Sequence, residues 1–136
     1  MRISVIVPVF NDWHRAEGLL DALAAQQFPS DDFEVLLIDN GSTSIPNLEN
    51  TPRPVILLHC SKPGSYAARN IGIEAAKAEI LAFTDADCLP CSNWLTQAYE
   101  HITRNSPSPT VLAGGVTMFL PDPTRPTSYG LYDLAL

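Results

Sequence analysis

The sequence predicts an α/β fold with three layers, helices packed on both faces of a mostly parallel sheet. Three observations carry that expectation. Short apolar runs lack polar alternation, as strands buried on both faces do. Segments with apolar residues at helical spacing separate them, the pattern of βαβ units. Polar clusters directly follow three of the strands: Asn11-Asp12, Asp39-Asn40 and Asp85-Ala86-Asp87. In open parallel sheets ligands bind beyond the carboxyl ends of the strands, so this convergence marks a candidate site.

The elements follow in order. Ile3 to Val9 is β-branched and apolar, with Pro8 near its end, where a lost ladder donor matters least. Asn11 or Asp12 can cap the next helix. There Ala16, Leu19, Leu20 and Leu23 fall at i, i+3, i+4 and i+7, one core-facing stripe, and Phe28-Pro29 ends it. Phe33 to Ile38 is a second buried strand, running into the turn sequence Asp39-Asn40-Gly41-Ser42. Pro46, Pro52 and Pro54 make residues 45–54 an irregular loop with at most a short helix. Val55 to His59 is a third strand. Gly64-Ser65 begins a helix to about Lys77, with Ala67, Ala68, Ile71 and Ala75 on one side. Ile80 to Thr84 is a fourth strand. Ser92 caps a helix carrying Leu95, Ala98, Tyr99 and Ile102, and Val111 to Phe119 is a fifth strand. The tail with Pro121, Pro123 and Pro126 has no assigned element.

The 136 residues suit one domain, 1–136. Hydrophobic residues at 46% and charged residues at 17% place it among globular chains. A net charge of −7 gives no electrostatic reason to bind nucleic acid or anionic lipid. A polyanionic ligand would need a local cation. The chain enters a strand directly after Met1-Arg2, so no signal peptide is expected, and no apolar run approaches ~20 residues. Cys60, Cys88 and Cys91 are odd in number, which suits a reducing, cytoplasmic setting better than a disulfide framework.

Asp85 and Asp87 carry the chemistry. In an extended segment residues i and i+2 point to the same side, so both carboxylates would face one pocket. Their mutual repulsion is relieved by a divalent cation. Mg²⁺ in particular takes oxygen ligands and commonly combines one or two carboxylates with substrate phosphates. Such an ion stabilises a departing nucleoside diphosphate as charge builds on it. The bland alternative is that both are turn or helix-cap residues.

Four segments together resemble the family 2 glycosyltransferases, which have the GT-A fold of nucleotide-diphospho-sugar transferases. They are Ser4 to Asn11, Glu34 to Thr43, Ala68 to Ile73, and Ile80 to Asp87, with Asn93-Trp94-Leu95 continuing the pattern. The likeness covers residues 2 to about 118 in order. It implies an inverting, metal-assisted transfer from a nucleotide-diphosphate sugar, UDP-type first, to a carbohydrate or lipid-linked acceptor. It also implies roles. Pro8, Val9 and Phe10 would line the base pocket and Asn11 would border it. Asp39 and Asn40 would lie near base and ribose, and Arg69 would approach the nucleotide. Ala86 would lie within the donor site. Asp85 would reach the ribose or the metal, and Asp87 would bind Mn²⁺ or Mg²⁺ directly.

Two departures stand out. The family often has two aspartates where this chain has Asp39-Asn40, and Asn can donate as well as accept. The family's acceptor-side base comes well after the Asp-x-Asp, and Asp122 and Asp133, the only acids after Glu100, lack its context. The expectation is therefore a GT-A domain truncated at its C-terminus, supplying the donor and metal half, with any membrane contact through missing parts at the inner face of a membrane. The rival readings are a non-catalytic nucleotide-sugar-binding module and a thiol-redox protein built on Cys88-Leu89-Pro90-Cys91. Zinc is disfavoured, with no second cysteine pair and His59 read as a strand-end residue. Gly64-Ser65 reads as a helix start before it reads as an anion cradle. Trp13 and Trp94 read as packing residues.

Overall fold

A computed structural model describes residues 1–105 and 110–117. The chain divides into two compact units, Met1–Ser106 and Pro107–Leu136.

The first unit runs β1 (Ile3–Val9), α1 (Trp13–Ala24), a 3₁₀ turn (Ser30–Asp32), β2 (Phe33–Asp39), β3 (Ile56–His59), α2 (Ser65–Ala75), β4 (Ile80–Phe83) and α3 (Trp94–Asn105). The strands form one sheet in the order β3-β2-β1-β4, with every pairing parallel. The central strands β1 and β2 are buried almost throughout, which is why their sequences are apolar apart from Ser4, Glu34 and Asp39.

The two faces of the sheet carry two cores. Ile3, Val5, Val7 and Val9 of β1 and Phe33, Val35 and Leu37 of β2 pack with Ala16, Leu19, Leu20 and Leu23 of α1 and Leu95 of α3. Ile6, Leu36 and Ile38 point the other way, onto Ala67 and Ala68 of α2. The expected three-layer α/β/α arrangement is borne out. Each fully buried Leu, Ile or Val contributes roughly 1.5–3 kcal/mol relative to exposure, so α1 and α2 are held chiefly by these stripes. Gly72 lets α2 approach closely: a Cβ there would meet Ile6 Cγ2 at 2.5 Å.

A buried polar lock sets where β4 begins. Ser4 Oγ donates to Glu34 Oε1 at 2.6 Å, and the Lys77 amide donates to the same oxygen at 2.8 Å. The Ala78 amide donates to Ser4 Oγ at 3.1 Å. The connection from α2 is thus tied to β1 and β2, and β4 enters the sheet with Ile80 opposite Ile3.

Several local expectations differ from the structure. Helix α1 ends at Ala24, before Phe28-Pro29, because Gln26 is engaged elsewhere: its Nε2 donates to Cys91 O at 2.8 Å, and its Oε1 accepts from Leu95 N at 3.1 Å. Asp12 occupies the N-cap position of α1 but makes no side-chain cap bond, facing His14 and Arg15 instead. Helix α3 starts at Trp94, past the Ser92 cap position, and the Ser92 carbonyl accepts from the Gln27 amide.

In the second unit, residues 110–117 carry no strand, which corrects the expected fifth strand over Val111–Phe119. Gly114-Gly115 interrupts that apolar run, and Val111 and Val116 are 96% and 80% exposed. Met118 and Phe119 lie outside the described residues, as do Pro121, Asp122, Pro123, Pro126 and Asp133. Among the described residues no helix is long and apolar enough to cross a membrane.

Candidate functional site

A cleft of about 580 Å³ lies beyond the carboxyl ends of β1, β2 and β4, within the usual size range of small-molecule sites. Pro8, Val9 and Phe10 line it from the end of β1, followed by Asp12. Asn40 comes from the end of β2. Pro63, Gly64, Ser65 and Arg69 come from the start of α2, and Asp85, Ala86 and Asp87 from the loop after β4. Asn11 makes the turn out of β1 with φ 54°, a region Asn enters more readily than most residues. Phe10 is left 62% exposed there.

The Asp-x-Asp segment is a turn rather than extended chain. The Cys88 amide donates to Asp85 O at 3.1 Å, closing residues 85–88. Both carboxylates still line the one cleft. Each faces an arginine. Arg69 Nη2 lies 2.5 Å from Asp85 Oδ1, and Arg69 Nη1 donates to Ser65 Oγ at 3.0 Å. Arg15 Nη1 lies 3.4 Å from Asp12 Oδ2 and 4.0 Å from Asp87 Oδ2. All five charged groups keep substantial solvent contact, so these pairs are worth at most about 1 kcal/mol each to stability.

Asp39 and Asn40 are committed to the protein itself. Asp39 is buried behind the cleft, where its carboxylate accepts from the Gly41 and Ser42 amides, both at 3.2 Å. Burial pushes its carboxyl up. The hydrogen bonds from Ser42 and Gly41, with the charge of His59 3.7 Å away, outweigh burial and hold it below the ordinary carboxylate value. Asn40 Nδ2 donates to Cys60 O and Lys62 O, and its Oδ1 accepts from the Gly64 amide. Asn11 borders a neighbouring hollow of about 330 Å³ with Trp13, His14 and Thr43. Its Oδ1 accepts from Thr43 N at 2.8 Å, and its amide donates to Ser42 Oγ at 2.9 Å.

The cleft therefore gathers Pro8, Val9, Phe10, Asn40, Arg69, Asp85, Ala86 and Asp87, with Asp39 behind it and Asn11 beside it. Sequence reasoning placed Asp12 in a strand-end polar cluster without a specific role and passed over Arg15 and Pro63. Asp12 carried a signal, since it follows β1 as Asp85 follows β4. Arg15 stands i+3 from Asp12, the spacing of an ion pair on one helix face.

The donor set suits a hard cation. Asp85 and Asp87 offer only oxygen ligands in the same cleft. Among the described residues no three His, Cys, Asp or Glu side chains converge to hold a metal by themselves. Two carboxylates completed by phosphate oxygens and water are a common Mg²⁺ arrangement. The cysteines are unpaired: Cys60 is buried, Cys88 half-buried and Cys91 exposed. His59 ends β3, as expected, and Trp13 is packed in the α1 core with Nε1 donating to Ser42 Oγ at 3.1 Å.

The chain runs outward from β1 to β2 and β3, then crosses back to place β4 on the other side of β1. The cleft stands at that reversal, so the fold defines an α/β protein with a cleft at its topological switch point, the place where open parallel sheets take ligands. The chain belongs to glycosyl transferase family 2, whose family model matches residues 4–120. It is 39% identical over 113 residues to Glycosyltransferase AglE of Haloferax volcanii, a match covering 74% of this chain and 35% of AglE. The chain thus spans about a third of that relative's length. Among solved structures, S. aureus TarS 1-349 in complex with UDP superposes with a TM-score of 0.65 at 29% identity, over 76% of this chain and 32% of that one. The mannosyltransferase PcManGT from Pyrobaculum calidifontis, in complex with GDP-Man and Mn²⁺, gives 0.57 at 30% identity, over 67% and 29%. The GT-A type of fold expected from the resemblance is borne out.

Proposed function

We propose that this chain forms the donor and metal half of an inverting glycosyl transfer from a nucleotide-diphosphate sugar to a carbohydrate or lipid-linked acceptor. One observation carries the reading: β1, β2, α2 and the loop after β4 deliver Pro8, Val9, Phe10, Asn40, Arg69, Asp85, Ala86 and Asp87 to one cleft. UDP bound to TarS supports uridine as the base, and Mn²⁺ in PcManGT supports a divalent cation.

In this reading Pro8, Val9 and the exposed ring of Phe10 bound the base, and Ala86 leaves room beside the sugar. Asn11 and Asp39 shape the border by holding the 39–43 loop. Arg69, fixed between Ser65 and Asp85, presents its guanidinium to the nucleotide. Asp87, with Asp85, would hold Mn²⁺ or Mg²⁺, which when bound supplies positive charge against the leaving diphosphate. An inverting transfer also needs a base beside the acceptor hydroxyl. The carboxylates lining this cleft are Asp12, Asp85 and Asp87, on the donor side. That favours a second reading, a module that binds the donor without transferring it. The three unpaired cysteines fit a reducing, cytoplasmic location.

The test is calorimetric titration with UDP, with and without Mn²⁺, followed by an assay for UDP-sugar hydrolysis or transfer. Metal-dependent binding is expected under both readings. Turnover above background selects the enzyme, and absence of binding sinks both.

A further inference from the structure

We propose that Asn40 is a positioning residue for the donor site, acting through the start of α2 rather than by reading the nucleotide base. The inference rests on the donor-site reading above.

Asn40 stands where three parts of the cleft meet. Its backbone amide donates to Val9 O at 2.8 Å, tying it to the end of β1. Its side chain turns to the β3–α2 loop. Nδ2 donates to Cys60 O at 3.2 Å and to Lys62 O at 2.7 Å, and Oδ1 accepts from the Gly64 amide at 2.8 Å. Both N–H groups and the oxygen of the carboxamide are thereby engaged. The orientation is fixed by chemistry, because the flipped amide would set its oxygen against two carbonyls and its NH₂ against an N–H.

The loop it holds is shaped for the cleft. Gly64 sits at φ 110°, and a Cβ there would meet the Tyr66 ring at 2.5 Å. Ser65 follows and accepts from Arg69, which reaches Asp85. A line of hydrogen bonds and covalent chain thus runs from Asn40 through the start of α2 to the Asp-x-Asp turn. An aspartate at this position could still accept from Gly64 N. Its second oxygen would face the Cys60 and Lys62 carbonyls with no proton to offer, so the loop itself demands an amide.

A positioning role and a base-reading role leave different signatures. The 136-residue chain, as parent and as Asn40→Asp, is titrated in Mn²⁺ buffer with UDP, CDP and GDP. Releasing the loop should weaken all three by a common factor of about tenfold, leaving their relative affinities unchanged. Unchanged affinities overturn the proposal, and so does a shift in the UDP to GDP ratio, which is the mark of a base contact. Parent chain that binds none of the three overturns the donor-site reading instead, a separate result. If Asn40→Asp fails to fold by circular dichroism, Asn40→Ala is titrated in its place with the same outcomes. Failure of both to fold would make Asn40 a residue of global stability and overturn the proposal.

Discussion

Arg69 and Asp85 meet inside the cleft at 2.5 Å, one from the helix after β3 and the other from the turn after β4. The pair ties the crossover helix α2 to the turn that ends β4, at the point where the chain returns to β1.

Arg69→Ala should therefore separate binding from stability. The pair is partly exposed, and its loss should change unfolding free energy by less than about 1 kcal/mol. Affinity for UDP should fall by about tenfold or more, since hydrogen bonds to charged groups are the strong ones. Urea denaturation and calorimetry on the same variant read both. A stability loss with unchanged affinity would show that Arg69 serves the fold alone.

Asp87→Ala should abolish the Mn²⁺-dependent component of UDP binding. Its side chain is half exposed and sits in a turn, so unfolding free energy should stay within about 0.5 kcal/mol of the parent. Titration with Mn²⁺ present and absent is the measurement. Equal metal dependence in parent and variant would remove Asp87 from the metal site.

Asp39 should make the fold acid-sensitive. Its carboxyl titrates below the ordinary value when folded, so the folded state favours the ionised form. That stability is fully present above the unfolded carboxyl pKa of about 3.9 and is lost as pH falls through the lower folded value. Asp39→Asn should be less stable than the parent at neutral pH and show a flatter decline below pH ~4. Thermal unfolding across pH 2 to 7 compares the two slopes, and parallel curves would count against the assignment.

Gly72→Ala should cost about 1–3 kcal/mol, the usual penalty of overpacking. The added methyl would meet Ile6 Cγ2 at 2.5 Å and Ile38 Cδ1 at 3.1 Å. Ile6 is buried in a central strand and cannot turn aside. Chemical denaturation gives the value directly. A neutral result would mean that α2 can lift from the sheet without loss.

The strands were legible because burial on both faces leaves apolar runs, as over residues 5–9 of β1 and 35–38 of β2. The position of the cleft was legible too, since strand ends and polar clusters coincide along the chain. Other features depend on partners far away in sequence. Gln26 bonds to Cys91 and Leu95, and nothing near Gln26 announces it. Asp39 and Asn40 also hold loops, Asn40 through residues as distant as Gly64, and nothing beside them in the sequence announces those partners. Val111 to Phe119 had the composition of a strand, yet residues 111–117 take no place in a sheet, because a strand needs a hydrogen-bonded neighbour that composition cannot supply.

The strand order has a dynamic consequence. Among the described residues β1 and β2 are each laddered on both sides, whereas β4 is laddered to β1 alone. The Asp-x-Asp turn thus hangs from an edge of the sheet, and Pro8 and Val9 from its middle. Amide exchange in β4 should proceed through local opening well before β1 releases its protons. A ligand bridging the two ends would then act as a clasp, slowing exchange along a strand most of whose residues it never touches.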